Sequence, residues 1–174
     1  MLRMLAQRAH FVDGDGRIRR DWFTLISDLV LATNKRTTQA SATTATVTGT
    51  TDSSELVSIN VGPYSTGSID LIMGTTCTNN ANAKNLTLSI NGTEVQDWII
   101  DPSTDTQTQH IVLVWRSSSE LYVMPVASIN CTASGAQAVS VTAGSNLVVS
   151  VSAQLSISND SVVLQAWTLD VNAL

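Results

Sequence analysis

Charge is scarce in this chain. Asp, Glu, Lys and Arg make up 13% of its 174 residues, against roughly 25% in typical soluble proteins. Ion pairs therefore cannot solvate the surface, and the abundant Ser, Thr and Asn must do it with hydroxyls and amides. Imidazole is scarcer still. His10 and His110 are the only two histidines, whereas nucleophilic catalysis needs a base within reach of an activated Ser, Cys or Thr. His110 adjoins the apolar run IVLVW and reads as a satisfied strand histidine; His10 lies near the N-terminus. No Gly-x-Ser-x-Gly elbow occurs, because Gly62-Pro-Tyr-Ser65-Thr-Gly67 has the wrong spacing. A glycine-rich phosphate loop with lysine is also missing. Two cysteines, Cys77 and Cys131, form neither a disulfide framework nor a zinc pattern and read as reduced, buried thiols. No apolar run approaches the ~18 residues of a membrane span. Arg3, Gln7 and Arg8 interrupt the apolar stretch that a secretory signal would need. These absences argue against an enzyme, a cofactor, a metal and a membrane anchor, and they place assembly in a cytoplasm.

The charge that is present is unevenly placed. Through Arg36 the chain has seven Lys or Arg and four Asp, a net of +3; beyond it Lys84 and Arg116 face ten acids, a net of −8. The basic end lacks the aromatic interleaving of a nucleic-acid surface, so protein is its expected partner. Within it, DWFTLISDLVLA over 21–32 sets Trp22, Phe23, Ile26 and Leu29 at helical spacing, with Asp21 as N-cap. Such a helix is about 18 Å long. That is too short to stand alone in water, so its apolar stripe must dock on something.

Ahead of this helix runs FVDGDGRIRRDW over 11–22, which poses a calcium question. An EF-hand loop wants acidic oxygens at positions one, three, five and twelve and glycine at six. Counted from Asp13, those last three positions hold Arg17, Thr24 and Ile18. The spacing fails, and 13–16 reads as a tight reversal in which glycine supplies positive φ. It aims Arg17, Arg20 and the Trp22 helix toward a neighbouring subunit.

Residues 37–54 are dominated by Ser, Thr and Ala and read as an extended arm or linker, with a β-like piece near 44–48. From Glu55 the apolar pattern changes to period two. Strands are predicted over 56–61, 68–75, 85–90, 95–100, 109–115, 121–126, 138–142, 146–156 and 161–171. Asn91-Gly92 is a type I′ hairpin signal. The spacing predicts a mainly β fold, an antiparallel jelly-roll-like sandwich over 55–174, preceded by a docking segment over 1–36 and the arm.

One carboxylate cluster remains. Asp97, Asp101 and Asp105 fall close together near one predicted strand end, and paired carboxylates serve carbohydrate sites. Of the four tryptophans, Trp98, Trp115 and Trp167 fall within strands and read as packing rather than as sugar platforms. Asn85, Asn91, Asn130 and Asn159 begin glycosylation sequons, a number that a Ser/Thr-rich chain reaches by chance.

Phe11-Val12-Asp13, Gly16-Arg17, Arg20, Trp22 and Leu29 form a pattern that resembles the start of small virion proteins of tailed bacteriophages. The Ser/Thr/Ala-rich body, ending in VVLQAWTLDV over 162–171, is similar in texture to phage head-decoration and fibre domains. The resemblance implies a non-enzymatic virion component that forms a trimer or dimer. It implies attachment to a phage particle through the helix stripe without telling head from tail; the leading expectation is a capsid decoration or cement protein that docks on a major capsid protein through Arg17, Arg20, Trp22, Phe23, Ile26 and Leu29. A tail adaptor or fibre module is the alternative, and a carbohydrate-binding domain built on the three aspartates is a second one.

Overall fold

The computed structural model describes residues 35–101, 103–134 and 138–173. The reversal at 13–16 and the helix at 21–32, with all six expected docking residues, lie outside the described residues.

The described chain is all strand and turn. In order, the strands are β1 (Lys35–Ser41), β2 (Ala45–Thr48), β3 (Ser54–Val61), β4 (Ser68–Cys77), β5 (Lys84–Ile90) and β6 (Thr93–Ile100). They continue as β7 (Thr106–Ser117), β8 (Glu120–Ile129), β9 (Cys131–Ala133), β10 (Ala138–Ser140), β11 (Leu147–Leu155) and β12 (Ser161–Ala173). One sheet runs β1-β12-β4-β7-β8-β10 with β2 also paired to β12; the other runs β3-β11-β5-β6-β9. Side chains of both sheets meet in one core, so the architecture is the expected sandwich. Only two connections are hairpins within a sheet, β5–β6 and β7–β8. From β3 onward the other links carry the chain from one sheet to the other.

Alternation explains why these segments are strands. In β11, Leu147, Val149, Val151, Ala153 and Leu155 are buried, while Ser150, Ser152 and Gln154 face outward. β-Branched and small polar residues suit a pleated surface that is buried on one side only. Burial of each such aliphatic side chain is worth roughly 1.5–3 kcal/mol. Asn91 and Gly92 both adopt positive φ, 50° and 80°, as a type I′ turn demands. Gly67 is fixed more severely. With φ +98°, an added Cβ would lie 1.9 Å from the carbonyl oxygen of Asn172.

The hydroxyl-rich stretch 37–54 holds two strands. β2 pairs with β12 from Thr48↔Ser161 to Leu164↔Ala45, and β1 lies along the same strand. An edge strand draws its stability from main-chain pairing, so it needs few apolar side chains; Val47 is the one fully covered side chain of β2. β1 and β2 therefore both pair with the last strand of the seven-stranded sheet. β9 is absent from the strands that the sequence pattern predicts, and its three residues pair with β6.

A polar clip closes one end of the sandwich. The Nζ of Lys84 donates to Asn80 Oδ1 at 2.8 Å and to the carbonyl of Asn82 at 3.0 Å. Asp160 Oδ2 lies 3.6 Å from the same Nζ. The Nδ2 of Asn80 donates to Asp160 Oδ1 at 2.7 Å, which ties the β4–β5 loop to the β11–β12 turn.

Candidate functional site

The outer face of the five-stranded sheet is almost wholly polar, and strand register orders it in rows. Gln154, Asn85, Ile99 and Thr132 stand side by side on β11, β5, β6 and β9. In the next row Ser152 faces Thr87 and Thr87 faces Asp97; beyond it Ser150, Ser89 and Glu94 line up. Neighbouring strands are about 4.8 Å apart and successive rows about 6.7 Å. Functional groups thus repeat on a small lattice.

A β-bulge sets the third strand of this lattice. Ser89 pairs with Glu94 while Leu88 pairs with Gln96, so Val95 is the extra residue. Val95 and Gln96 are both buried as a result, and the phase of β6 shifts. Asp97 and Ile99 then point outward while Trp98 and Ile100 point into the core. Gln96 braces the rim from below. Its Nε2 donates to the carbonyls of Asp97 and Ser134, at 2.9 and 2.6 Å. Ser134 in turn closes on β6, donating its N–H to the Asp97 carbonyl at 2.8 Å and accepting the Asp97 N–H on its Oγ at 3.0 Å.

The product is an open trough of about 440 Å³. Asn85 and Thr87 form its floor; Glu94, Asp97 and Ser134 line one side, and Gln154 closes the other. Ile99, 55% exposed, supplies one apolar surface among them. Asn85, Thr87, Glu94 and Asp97 have no side-chain hydrogen bond or ion pair among the described residues. Elsewhere polar side chains are widely partnered: Lys84, Gln96, Gln109, His110 and Asp170 all have partners. A surface carrying two amides, hydroxyls and two carboxylates can both donate to and accept from a polyhydroxylated molecule.

Of the three aspartates expected together, only Asp97 lines the trough. Asp101 reaches its rim, accepting a hydrogen bond from Thr132 at 3.4 Å. Asp105 lies at the start of β7, where its carbonyl accepts the Cys77 N–H at 3.0 Å and its carboxylate takes the Thr106 hydroxyl. The fold separates them, since Asp97 belongs to the sheet face, Asp101 to the end of β6 and Asp105 to the approach to β7 in the other sheet. Asn85 and Thr87 stand out in the sequence only as the ends of a chance glycosylation sequon, and Gln154 not at all, because single polar residues alternate along every strand here. Among the described residues no group of three or more His, Cys, Asp or Glu is placed to hold a metal ion.

His110 lies on the outer face of the other sheet, with Nε2 2.8 Å from Asp70 Oδ1. Cys77 and Cys131 are not bridged, and burial pushes both thiols above their ordinary range. Trp98 and Trp115 are core residues, and Trp167 is half-buried against that core. No helix among the described residues is long and apolar enough to cross a membrane.

No protein family matches the sequence, and no curated protein does either. Among solved structures the chain is similar to the CBM2 module of the evolved Dit protein of Lactobacillus casei BL23 phage J-1, at 10% identity and TM-score 0.37, over 67% of this chain and 69% of that one. It is similar to the carbohydrate recognition domain of Emp46p in its potassium-bound form, at 9% identity and TM-score 0.45, over 80% and 88%. It is also similar to peanut lectin, at 10% identity and TM-score 0.39, over 82% and 93%. Overlap this loose carries no argument about ligand; the ladders of the chain itself define its fold.

Proposed function

We propose that this chain is a non-enzymatic carbohydrate-binding β-sandwich whose ligand lies in the trough on the five-stranded sheet. The observation that supports it is the cluster of polar groups on Asn85, Thr87, Glu94 and Asp97, unpartnered among the described residues, beside the exposed Ile99. Saccharides present alternating hydroxyls and C–H faces, which need planar amide or carboxylate partners and one apolar contact. A rigid sheet presents these groups without ordering a loop, which spares entropy on binding.

A glycan array probed with the full chain tests this reading. Asp97→Asn should weaken every positive by about tenfold or more and Asn85→Ala by about fivefold, since a hydrogen bond to a charged group is worth ~1.5–3 kcal/mol and a neutral one about 1 kcal/mol. Melting temperatures should hardly move, because neither side chain bonds within the protein. Binding that survives in the Asp97→Asn, Asn85→Ala double variant would place the site elsewhere.

A second reading, self-association, is supported by the opposite face. Ile72, Tyr122, Met124 and Val126 are 37–52% exposed on β4 and β8, on the outer side of the seven-stranded sheet. Tyr122, Met124 and Val126 run along β8 as an exposed apolar strip, with Ile72 two strands away, and such a strip favours a protein contact. Met124→Glu should shift the sedimentation coefficient of an oligomer toward that of the monomer; a wild-type monomer at all concentrations ends this reading. The capsid-decoration role depends on Arg17, Arg20, Trp22, Phe23, Ile26 and Leu29 and draws nothing from the described residues. It comes second to glycan binding here.

A further inference from the structure

Among the described residues, the charges around the trough are all of one sign. Asp97 and Glu94 line it, Asp101 holds its rim through Thr132, and Glu55 stands opposite Ser152 on the same face. The cationic side chains described elsewhere are engaged away from it. Arg36 is 2.5 Å from Asp170 on the other sheet. Lys84 is buried in the end clip. Arg116 lies 3.9 Å from Glu120 and over the Tyr122 ring. His110 faces Asp70 on the far side of the sandwich. Among the described residues, no Lys, Arg or His side chain borders the trough.

A carboxylated or sulfated sugar entering here would face at least two carboxylates and, among the described residues, no compensating cation. Its own charge would also lose water on entry, a cost that only pairing could offset. A neutral sugar meets no such penalty, because a carboxylate accepts readily from hydroxyls. An amine-bearing sugar goes further and gains a charge-assisted bond to Asp97 or Glu94.

Resting on the glycan-binding reading, we infer that Asp97 and Glu94 determine specificity in this trough, ranking amine-bearing saccharides above neutral ones and rejecting carboxylated and sulfated ones. Rejection here works by an introduced repulsion, not only by missing contacts.

The test uses the full chain on an array holding neutral, amine-bearing, carboxylated and sulfated glycans, followed by titration of the best neutral hit, its amine analogue and its carboxylated analogue. The expected order is amine, neutral, acid. Each step should be on the order of tenfold at low salt and should shrink as salt screens the charges. In the Asp97→Asn, Glu94→Gln double variant the amine advantage should vanish and the acid analogue should bind as well as the neutral one. An acidic glycan bound as tightly as its neutral analogue by the wild type would overturn the charge selection and leave glycan binding standing. An array with no positives at all would remove both.

Discussion

Lys84 is a long cationic side chain that the fold takes fully inside, 2% exposed. It is tolerated because its three protons face three oxygens, from Asn80, Asn82 and Asp160. The Asn80 amide, and after it Asn82 and the Lys84 charge, hold the Asp160 carboxyl below the ordinary carboxylate range despite its burial. A carboxyl with a depressed folded value stabilises the fold fully above its unfolded value, about 3.9, and loses that contribution as pH falls through the folded one. Lys84→Met should therefore lower the melting temperature at neutral pH and leave Asp160 a buried charge without its counter-ion. Adding Asp160→Asn to it should recover part of the loss, since removing both partners costs less than removing one. Thermal melts of the two single variants and the double variant between neutral and strongly acidic pH check this; a double variant no better than Lys84→Met would show the clip to be energetically idle.

At the scale of elements, the sequence was most legible where one rule acted alone. Asn91-Gly92 needs only local backbone chemistry, and β11 shows unbroken alternation over nine residues. Less was legible where pairing with a distant strand decides. β1 and β2 carry almost no apolar pattern and are strands because β12 offers them an open edge. β9 is three residues long and follows the same logic. The candidate site was hidden by the bulge at Val95, since strict alternation from Val95 would turn Asp97 toward the core and Gln96 toward solvent. Cross-sheet register likewise brings Gln154 beside Asn85 across 69 positions of chain, a proximity with no local signal. The edge pairing has a direct consequence. A chain starting at residue 36 should retain a cooperative melt, whereas one starting at residue 50 loses β1, β2, and the bonds from Gly49 to Ser158 and from Thr48 to Asp160. Val162 and Leu164 then lose the cover of Val47 and Ala45. The shorter chain should melt lower and aggregate, because an uncovered strand edge pairs with other chains. Light scattering during a melt of both chains distinguishes them.

At the scale of the whole molecule, the two outer faces have opposite chemistry. One is a polar lattice with carboxylates; the other carries an apolar strip along β8, with the Asp70–His110 pair between it and Ile72. A single sandwich can thus hold a ligand on one side and a protein on the other without competition between them. Between the faces, directly behind the trough, is the indole of Trp98. It has no exposed surface, its Nε1 has no hydrogen-bond partner among the described residues, and its neighbours in the chain, Asp97 and Ile99, both face the trough. A saccharide that presses on Asp97 and Ile99 must disturb the packing and field around that ring. The trough therefore carries its own optical reporter: titration with a bound sugar should shift the tryptophan emission, and Trp98→Phe should silence that signal while binding persists.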